Sequence, residues 1–273
     1  MLTQAEKGQA FRALHQRHDA FIIPNPWDIG TACLLAHLGF EALATTSAGF
    51  AFSVGRRDGQ VTRDEVMAHI ASVAAATPLP VSADLENGFA DDPEIVAETI
   101  GLAAAAGAVG GSIEDSTGRR DHPVFEFEHA VERVRAAVQA AHALPFPFTL
   151  TARAENYLYG KTDLDDTIKR LQAFQQAGAD VLYAPGLATK EDISAVVSSV
   201  DRPVNVLVGL PGVEHSRAEL AAIGVKRISI GSGLARAAIH ATLRAAHEMR
   251  EKGTFHFAQN IVSLSEVGGM FPN

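Results

Sequence analysis

Four stretches decide the fold: LGFEAL at 38–43, AGAVGG at 106–111, AGADVL at 177–182 and IGVKRI at 223–228. Each places a glycine just past the end of a helical pattern, where a left-handed residue meets no Cβ clash, and then enters an apolar strand. Outward from these joints, short apolar runs alternate with longer segments of helical spacing, the mark of βα units around a parallel sheet. The strands are expected at 21–23, 42–45, 81–84, 109–113, 148–152, 181–183, 204–208 and 227–230. The clearest helices are expected at 63–75, with Val66, Ile70 and Val73 on one face, and at 93–106, opened by Pro93. Two more follow at 129–143, carrying Val131, Val134 and Val138, and at 163–177, carrying Ile168, Leu171 and Phe174. Eight βα units in about 250 residues fit a TIM-like (β/α)8 barrel. An open doubly wound sheet is the alternative, because counting units does not prove closure. No Pro- or Ser-rich linker interrupts the pattern, so residues 1–273 read as a single barrel domain. Residues 1–19 form an N-terminal helix against one end of it, and 232–273 an extended C-terminal helical segment.

The composition narrows the function. With 23 Lys and Arg against 32 Asp and Glu, the net charge of −9 disfavours nucleic acid and anionic membrane as partners. Cys33 is the single cysteine, which excludes an intramolecular disulfide and a zinc-finger ligand set and fits a reducing compartment. The N-terminal MLTQAEKGQAFRALHQRH has no apolar core of a signal peptide, and no stretch reaches the ~18 apolar residues of a membrane span. A soluble, unprocessed, cytoplasmic protein is expected.

In a barrel the chemistry sits where strands exit into helices. These exits read Pro24-Asn25-Pro26-Trp27-Asp28, Thr45-Thr46-Ser47-Ala48-Gly49, Asp84-Leu85-Glu86-Asn87-Gly88, Glu114-Asp115 and Arg153-Ala154-Glu155-Asn156. Asp84 and Glu86 share a face if the strand continues, and Glu114 leaves the adjacent strand. Carboxylates converging on a partly dry mouth raise one another's pKa unless a cation neutralises them. An all-oxygen donor set without cysteine or paired histidine suits a hard ion, Mg²⁺ or Mn²⁺, that keeps several waters. Helix capping is the bland alternative and is the reading for Asp91 or Asp92 before Pro93. Arg153, the one cation among these exits, is placed to clamp a substrate carboxylate; a bridge to Glu155 or Glu114 is its structural alternative.

PNPWD at 24–28, LATTSAG at 43–49, RRDGQ at 56–60, SADLENGF at 82–89, SIEDS at 112–116, TARAEN at 151–156 and RISIGSGLARAA at 227–238 together resemble the isocitrate lyase / phosphoenolpyruvate mutase superfamily. The resemblance runs from about Phe21 to Ala246. It implies a TIM-like barrel, Mg²⁺, and 2-oxo or 2-hydroxy carboxylate substrates whose C–C or P–C bond is made or broken. By that resemblance Asp84 is the direct metal ligand, and Glu86 and Glu114 hold the metal through water. Asp58 is the loop acid near the metal and, with Arg153, the expected catalytic pair. Thr46, Ser47, Ala48, Arg153 and Asn205 are the expected substrate contacts.

Departures from the pattern limit the reading. Lyases of the superfamily carry a Lys-Lys-Cys-Gly-His-like segment after the fourth strand, whereas this chain reads Ser116-Thr117-Gly118-Arg119-Arg120-Asp121-His122-Pro123. The loop also lacks the Lys and Asn of a mutase. Arg119, Arg120 or His122 closes over substrate, or the loop is simply solvated. Gly231-Ser232-Gly233 reads as a tight turn outside the site, and His240 and His247 as surface or packing residues. The expected activity is an Mg²⁺-dependent lyase or decarboxylase acting on a small, oxaloacetate-like 2-oxo carboxylate through a stabilised enolate. The alternatives are P–C chemistry of the phosphonopyruvate or phosphoenolpyruvate mutase type and a non-catalytic 2-oxoacid-binding protein. The apolar C-terminal segment, with Phe255, Phe257, Ile261, Val262, Leu264, Met270 and Phe271, is more surface than one closing helix needs. The resemblance implies exchange of this segment between subunits of a homodimer or homotetramer.

Overall fold

The structure is a computed structural model that describes residues 2–209 and 213–271. Met1, residues 210–212 and the last two positions of the expected 232–273 segment lie outside the described residues. The chain begins with α1 (Gln4–Leu14), β1 (Phe21–Ile23), α2 (Ile29–His37), β2 (Leu43–Ala44), α3 (Ser47–Ser53) and α4 (Arg63–Ala75). It continues through β3 (Val81–Asp84), α5 (Pro93–Ala105), β4 (Gly110–Glu114), α6 (Phe127–His142), β5 (Thr149–Arg153), α7 (Leu164–Ala177) and β6 (Val181–Tyr183). The last elements are α8 (Lys190–Ser198), β7 (Val204–Leu207), α9 (Arg217–Ala222), β8 (Arg227–Ser229), α10 (Gly233–Lys252) and α11 (Leu264–Gly269).

The four glycine joints behave as their sequences require. Gly39, Gly107, Gly178 and Gly224 have φ of 82°, 99°, 107° and 90°, a region open to glycine at no steric cost. Helix starts are equally local. Thr3 with Glu6, Asp28 with Thr31, Thr62 with Glu65 and Ser216 with Glu219 form reciprocal capping boxes, and Asp92 caps α5 ahead of Pro93. Each such cap contributes about 0.5–2 kcal/mol. The expected strand ends shift by a residue or two because a ladder ends where its neighbour ends.

All strand pairs are parallel, in the order β1-β8-β7-β6-β5-β4-β3-β2. This order runs consecutively around a ring and is incompatible with a doubly wound sheet. β1 and β2 meet through the amide of Ala44, which donates to the Pro24 carbonyl at 3.1 Å, and through Asn25 Nδ2, which donates to the Thr45 carbonyl at 3.0 Å. The result is a TIM-like (β/α)8 barrel with an N-terminal helix. That helix closes the bottom: Phe11 and Leu14 are buried with Phe21, Ile23, Ala42 and Val109. A Cβ on Gly110 would meet the Phe11 ring at 2.7 Å, so the glycine in AGAVGG also makes room for α1. No helix among the described residues is long and apolar enough to cross a membrane.

One register row carries polar side chains across five strands. Glu114 pairs with Arg153, Arg153 with Tyr183, Tyr183 with Asn205 and Asn205 with Arg227. These five side chains therefore sit on neighbouring strands along one line inside the barrel.

Candidate active site

The C-terminal ends of the strands surround a cavity of about 160 Å³. Thr46, Ser47, Ala48, Asp58, Asp84 and Arg153, all expected site residues, line it. Asp84, at the end of β3, organises the mouth. Its Oδ2 accepts from the Ser47 amide at 3.0 Å and its Oδ1 from Arg153 Nη1 at 3.1 Å. The Thr45 hydroxyl accepts from the Asp84 amide at 2.8 Å, which ties the β2 exit to the β3 exit. Ser47 also hydrogen-bonds the carboxyl of Asp58, on the exposed loop after α3; burial of that carboxyl and the charge of Asp84 raise its pKa.

Glu86 stands one turn beyond, in a left-handed backbone with φ of 49°, and Phe89 follows at 64°. Such conformations cost non-glycine residues energy and persist only where the surroundings enforce them. Arg133, fully buried on α6, does so: it reaches under the loop and donates to the carbonyls of Asn87, Ala90 and Asp91. Burial, with Asp84, Glu114 and Asp58 nearby, pushes Glu86 up to about 8. Glu114 is raised by burial against the opposing pull of Arg153, and its Oε1 accepts from the Ser116 hydroxyl at 2.7 Å.

Arg153 sits among the acids. It bridges Asp84 at 3.1 Å, Glu114 at 3.0 Å and Glu155 at 2.9 Å, and its guanidinium lies 5.2 Å from the centre of the Tyr183 ring. Its fork is thus occupied by carboxylates. Glu155 lies almost wholly inside and is pushed up to about 8, first by burial. Its amide donates to Asp115, which in turn pairs with Arg170 at 3.0 Å, so a second buried ion pair braces the β5 exit from behind.

Three expected residues stand apart from the cavity lining. Glu86 and Glu114 are near it without forming its wall, and Asn205 lies buried below it, with Nδ2 donating to Ser229 Oγ and Oδ1 accepting from Arg227 Nε, both at 2.9 Å. Among the described residues no three His, Cys, Asp or Glu side chains come together as a group that could by itself hold a metal ion. Gly231 and Ser232, read from sequence as lying outside the site, line the cavity. Arg227 lines it as well, so Arg153 is not its only cation. Arg119 pairs with Asp91 at 2.7 Å on the surface, and Arg120 and His122 are exposed. Cys33 lies on α2 with its thiol toward the Ala76 carbonyl, outside the cavity wall.

Similarity to known proteins agrees with this geometry. The phosphoenolpyruvate phosphomutase family model matches residues 11–250. A crystal structure from Burkholderia cenocepacia J2315, of a protein classed provisionally as a lyase/mutase, is 62% identical over 99% of this chain and 97% of its own, with a TM-score of 0.97. The 2-methylisocitrate lyase of Salmonella typhimurium is 32% identical over 64% of this chain and 61% of its own. The oxaloacetate decarboxylase of Chromohalobacter salexigens is 26% identical over 88% and 84%. The chain therefore belongs to the phosphoenolpyruvate mutase family, within the isocitrate lyase / phosphoenolpyruvate mutase superfamily of lyases and mutases.

Proposed function

We propose that the protein is an Mg²⁺-dependent decarboxylase or lyase of small 2-oxo carboxylates, with oxaloacetate the simplest substrate. The observation that carries this is the mouth itself: Asp58, Asp84, Glu86 and Glu114 gather around one guanidinium, and no cysteine or histidine lines the cavity among the described residues. The donors are all oxygens, as a hard divalent cation prefers. Asp84 would hold the ion directly and Glu86 and Glu114 would reach it through water, the arrangement that the family resemblance implies. When bound, Mg²⁺ supplies Lewis-acid stabilisation of the negative charge that develops on the substrate's keto oxygen.

The chain's own residues do the rest. Ser47 and its neighbours Thr46 and Ala48 orient the substrate's oxygens beside Asp84. Arg153 exchanges part of its carboxylate contacts for the substrate carboxylate, a change its planar fork can make without losing Glu155. As the C3–C4 bond of oxaloacetate breaks, its electron pair enters the enolate and carbon dioxide departs. A proton taken up at C3 then gives pyruvate. No acid is needed on the departing group, which fits a loop 116–123 without the lyase cysteine. Retro-aldol cleavage would need a base for the 2-hydroxyl proton. The test is turnover of oxaloacetate and phosphonopyruvate after exhaustive chelation and again with Mg²⁺ or Mn²⁺. The expected result is no release of pyruvate from oxaloacetate in EDTA and full release on adding the metal. Metal-independent turnover contradicts the reading, turnover of phosphonopyruvate alone assigns P–C chemistry, and binding without turnover assigns a binding protein.

The natural partner of the C-terminal region is a second copy of the chain. α10 buries only Ala235 of its 20 residues, and the described residues after it include none that is buried. Leu264 is 92% exposed, and Phe255, Ile261 and Val262 are exposed beside it. Apolar side chains left in water at this density form an association patch. In light scattering the intact chain is expected to be a dimer or tetramer, and a chain ending at Lys252 to lose that assembly. A monomer in both cases rules the partner out.

A further inference from the structure

Arg227 enters the barrel from β8 and is 4% exposed, yet none of the ion pairs among the described residues includes it. Its Nε donates to Asn205, while its Nη1 is buried with no hydrogen-bond partner. A buried guanidinium without a carboxylate is costly, because desolvation is not offset by an opposite charge. Among the described residues the groups around it do not supply one. Toward the bottom of the barrel stands His15, which burial and the charge of Arg227 push down to about 3, so it is neutral. Toward the mouth stand Arg153, a like charge, and Tyr183, whose hydroxyl bonds Ser229 and which burial pushes up to about 12. Asn205 and Ser229 are neutral donors and acceptors. Arg153 and Arg227 thus sit at two points of one register row, the first surrounded by carboxylates and the second with none.

Arg227 also lines the cavity that Asp84 and Arg153 line. Inward-facing strand residues of such barrels are mostly branched and apolar, packed in layers. Here Ser82, Ser112 and Ser229 line the same cavity as Arg227, so that its wall is polar where an apolar layer would otherwise stand. An anion arriving from the mouth would give the free Nη1 the partner it lacks.

We infer that Arg227 is a specificity residue that binds a second anionic group on the substrate, at the far end of a 2-oxo acid whose first carboxylate is held at Asp84 and Arg153. Asn205, fixed to Ser229, holds the Arg227 fork in place and acts as a positioning residue. A carboxylate in this place is one that stays with the substrate, since a guanidinium stabilises the charged carboxylate and would oppose its loss as carbon dioxide. The preferred substrate is then longer than oxaloacetate or bears an acidic branch. This rests on the proposed 2-oxo acid site, and it is tested without turnover.

2-Oxoglutarate and 2-oxovalerate share the 2-oxo acid head and chain length and differ in a terminal carboxylate against a methyl group. Neither carries the β-carboxylate that an enolate-forming decarboxylation removes, so both serve as stable ligands. In calorimetry with Mg²⁺, the protein is expected to bind 2-oxoglutarate about tenfold to a hundredfold more tightly, the range of a charge-assisted hydrogen bond. Arg227→Met is expected to erase that preference while leaving 2-oxovalerate affinity within about twofold. Arg227→Lys keeps the charge without the fork, is the second variant if the methionine one does not fold, and is expected to retain only part of the preference. Equal affinities in the wild-type protein, or a preference untouched in a folded Arg227 variant, overturn the assignment of Arg227 and leave the 2-oxo acid site standing. Failure of both ligands to bind the wild-type protein with Mg²⁺ overturns both.

Discussion

Arg153→Met is expected to cost the fold about 3–5 kcal/mol, the usual consequence of removing one partner from a buried ionic cluster. Three carboxylates, those of Asp84, Glu114 and Glu155, lose their common cation at once. The loss is expected to depend on pH in a definite sense. Glu155 already has its pKa raised to about 8 in the folded protein, above an ordinary value of 4.5. A carboxyl raised in this way is destabilising when charged, above the folded pKa, and harmless when protonated, below the unfolded one. Without Arg153 the rise is larger still, so the variant's urea midpoint is expected to recover as pH falls from about 8 toward 5. A midpoint equal to wild type at pH 8 would show that the cluster does not depend on the guanidinium. Arg153→Lys separates folding from function: it is expected to fold and to bind substrate weakly, because an ammonium cannot match a carboxylate with two parallel donors. Unchanged KM and kcat in that variant would return Arg153 to a purely structural role.

Asp84→Ala is the second large effect, in the opposite direction for stability. Arg153 keeps Glu114 and Glu155, while Asp58 and Glu86 lose a neighbour that raises their pKa. The variant is therefore expected to fold at least as well as wild type. Its Mg²⁺ affinity is expected to fall on the order of a hundredfold or more, since even groups that only support a metal ligand are worth ten- to a hundredfold. Titration of Mg²⁺ by calorimetry checks both halves together with a melting curve. Wild-type affinity in the variant would remove Asp84 from the metal site.

The barrel was legible because its signals are local. Gly39, Gly107, Gly178 and Gly224 mark helix ends by backbone geometry alone, and Thr62 and Asp92 mark helix starts by what their side chains can accept. The acids at the β3 and β4 exits were legible for a related reason, since a polar residue at the end of an apolar run has few structural uses. Arg227 was not, because it opens a strand and its reach into the cavity depends on the barrel's stagger, which brings it into register with Arg153 through two intervening strands. Arg133 was hidden in the same way: on a helical pattern it reads as a solvated charge, and only the packing of α6 under the 85–92 loop shows it holding Glu86 in place. Glu155 is legible as a possible partner of Arg153, but its burial depends on Asp115 and Arg170 behind it, contacts made across 40 and 55 residues of sequence. Gly231 and Ser232 are hidden because a glycine-flanked serine reads as a turn, and Asn25, whose Oδ1 accepts from the amides of Ile230 and Gly231, draws that turn to the cavity rim.

A crystal of the wild-type protein soaked with Mg²⁺ and oxalate, which resembles the enolate of pyruvate, tests most directly whether these carboxylates hold a divalent cation that meets a 2-oxo acid beside Arg153. The expected density shows the ion about 2.1 Å from an oxygen of Asp84, with waters between it and Glu86 and Glu114, and oxalate between the ion, Ser47 and Arg153. An ion bound elsewhere, or oxalate lodged away from Asp84 and Arg153, would contradict this assignment of the site.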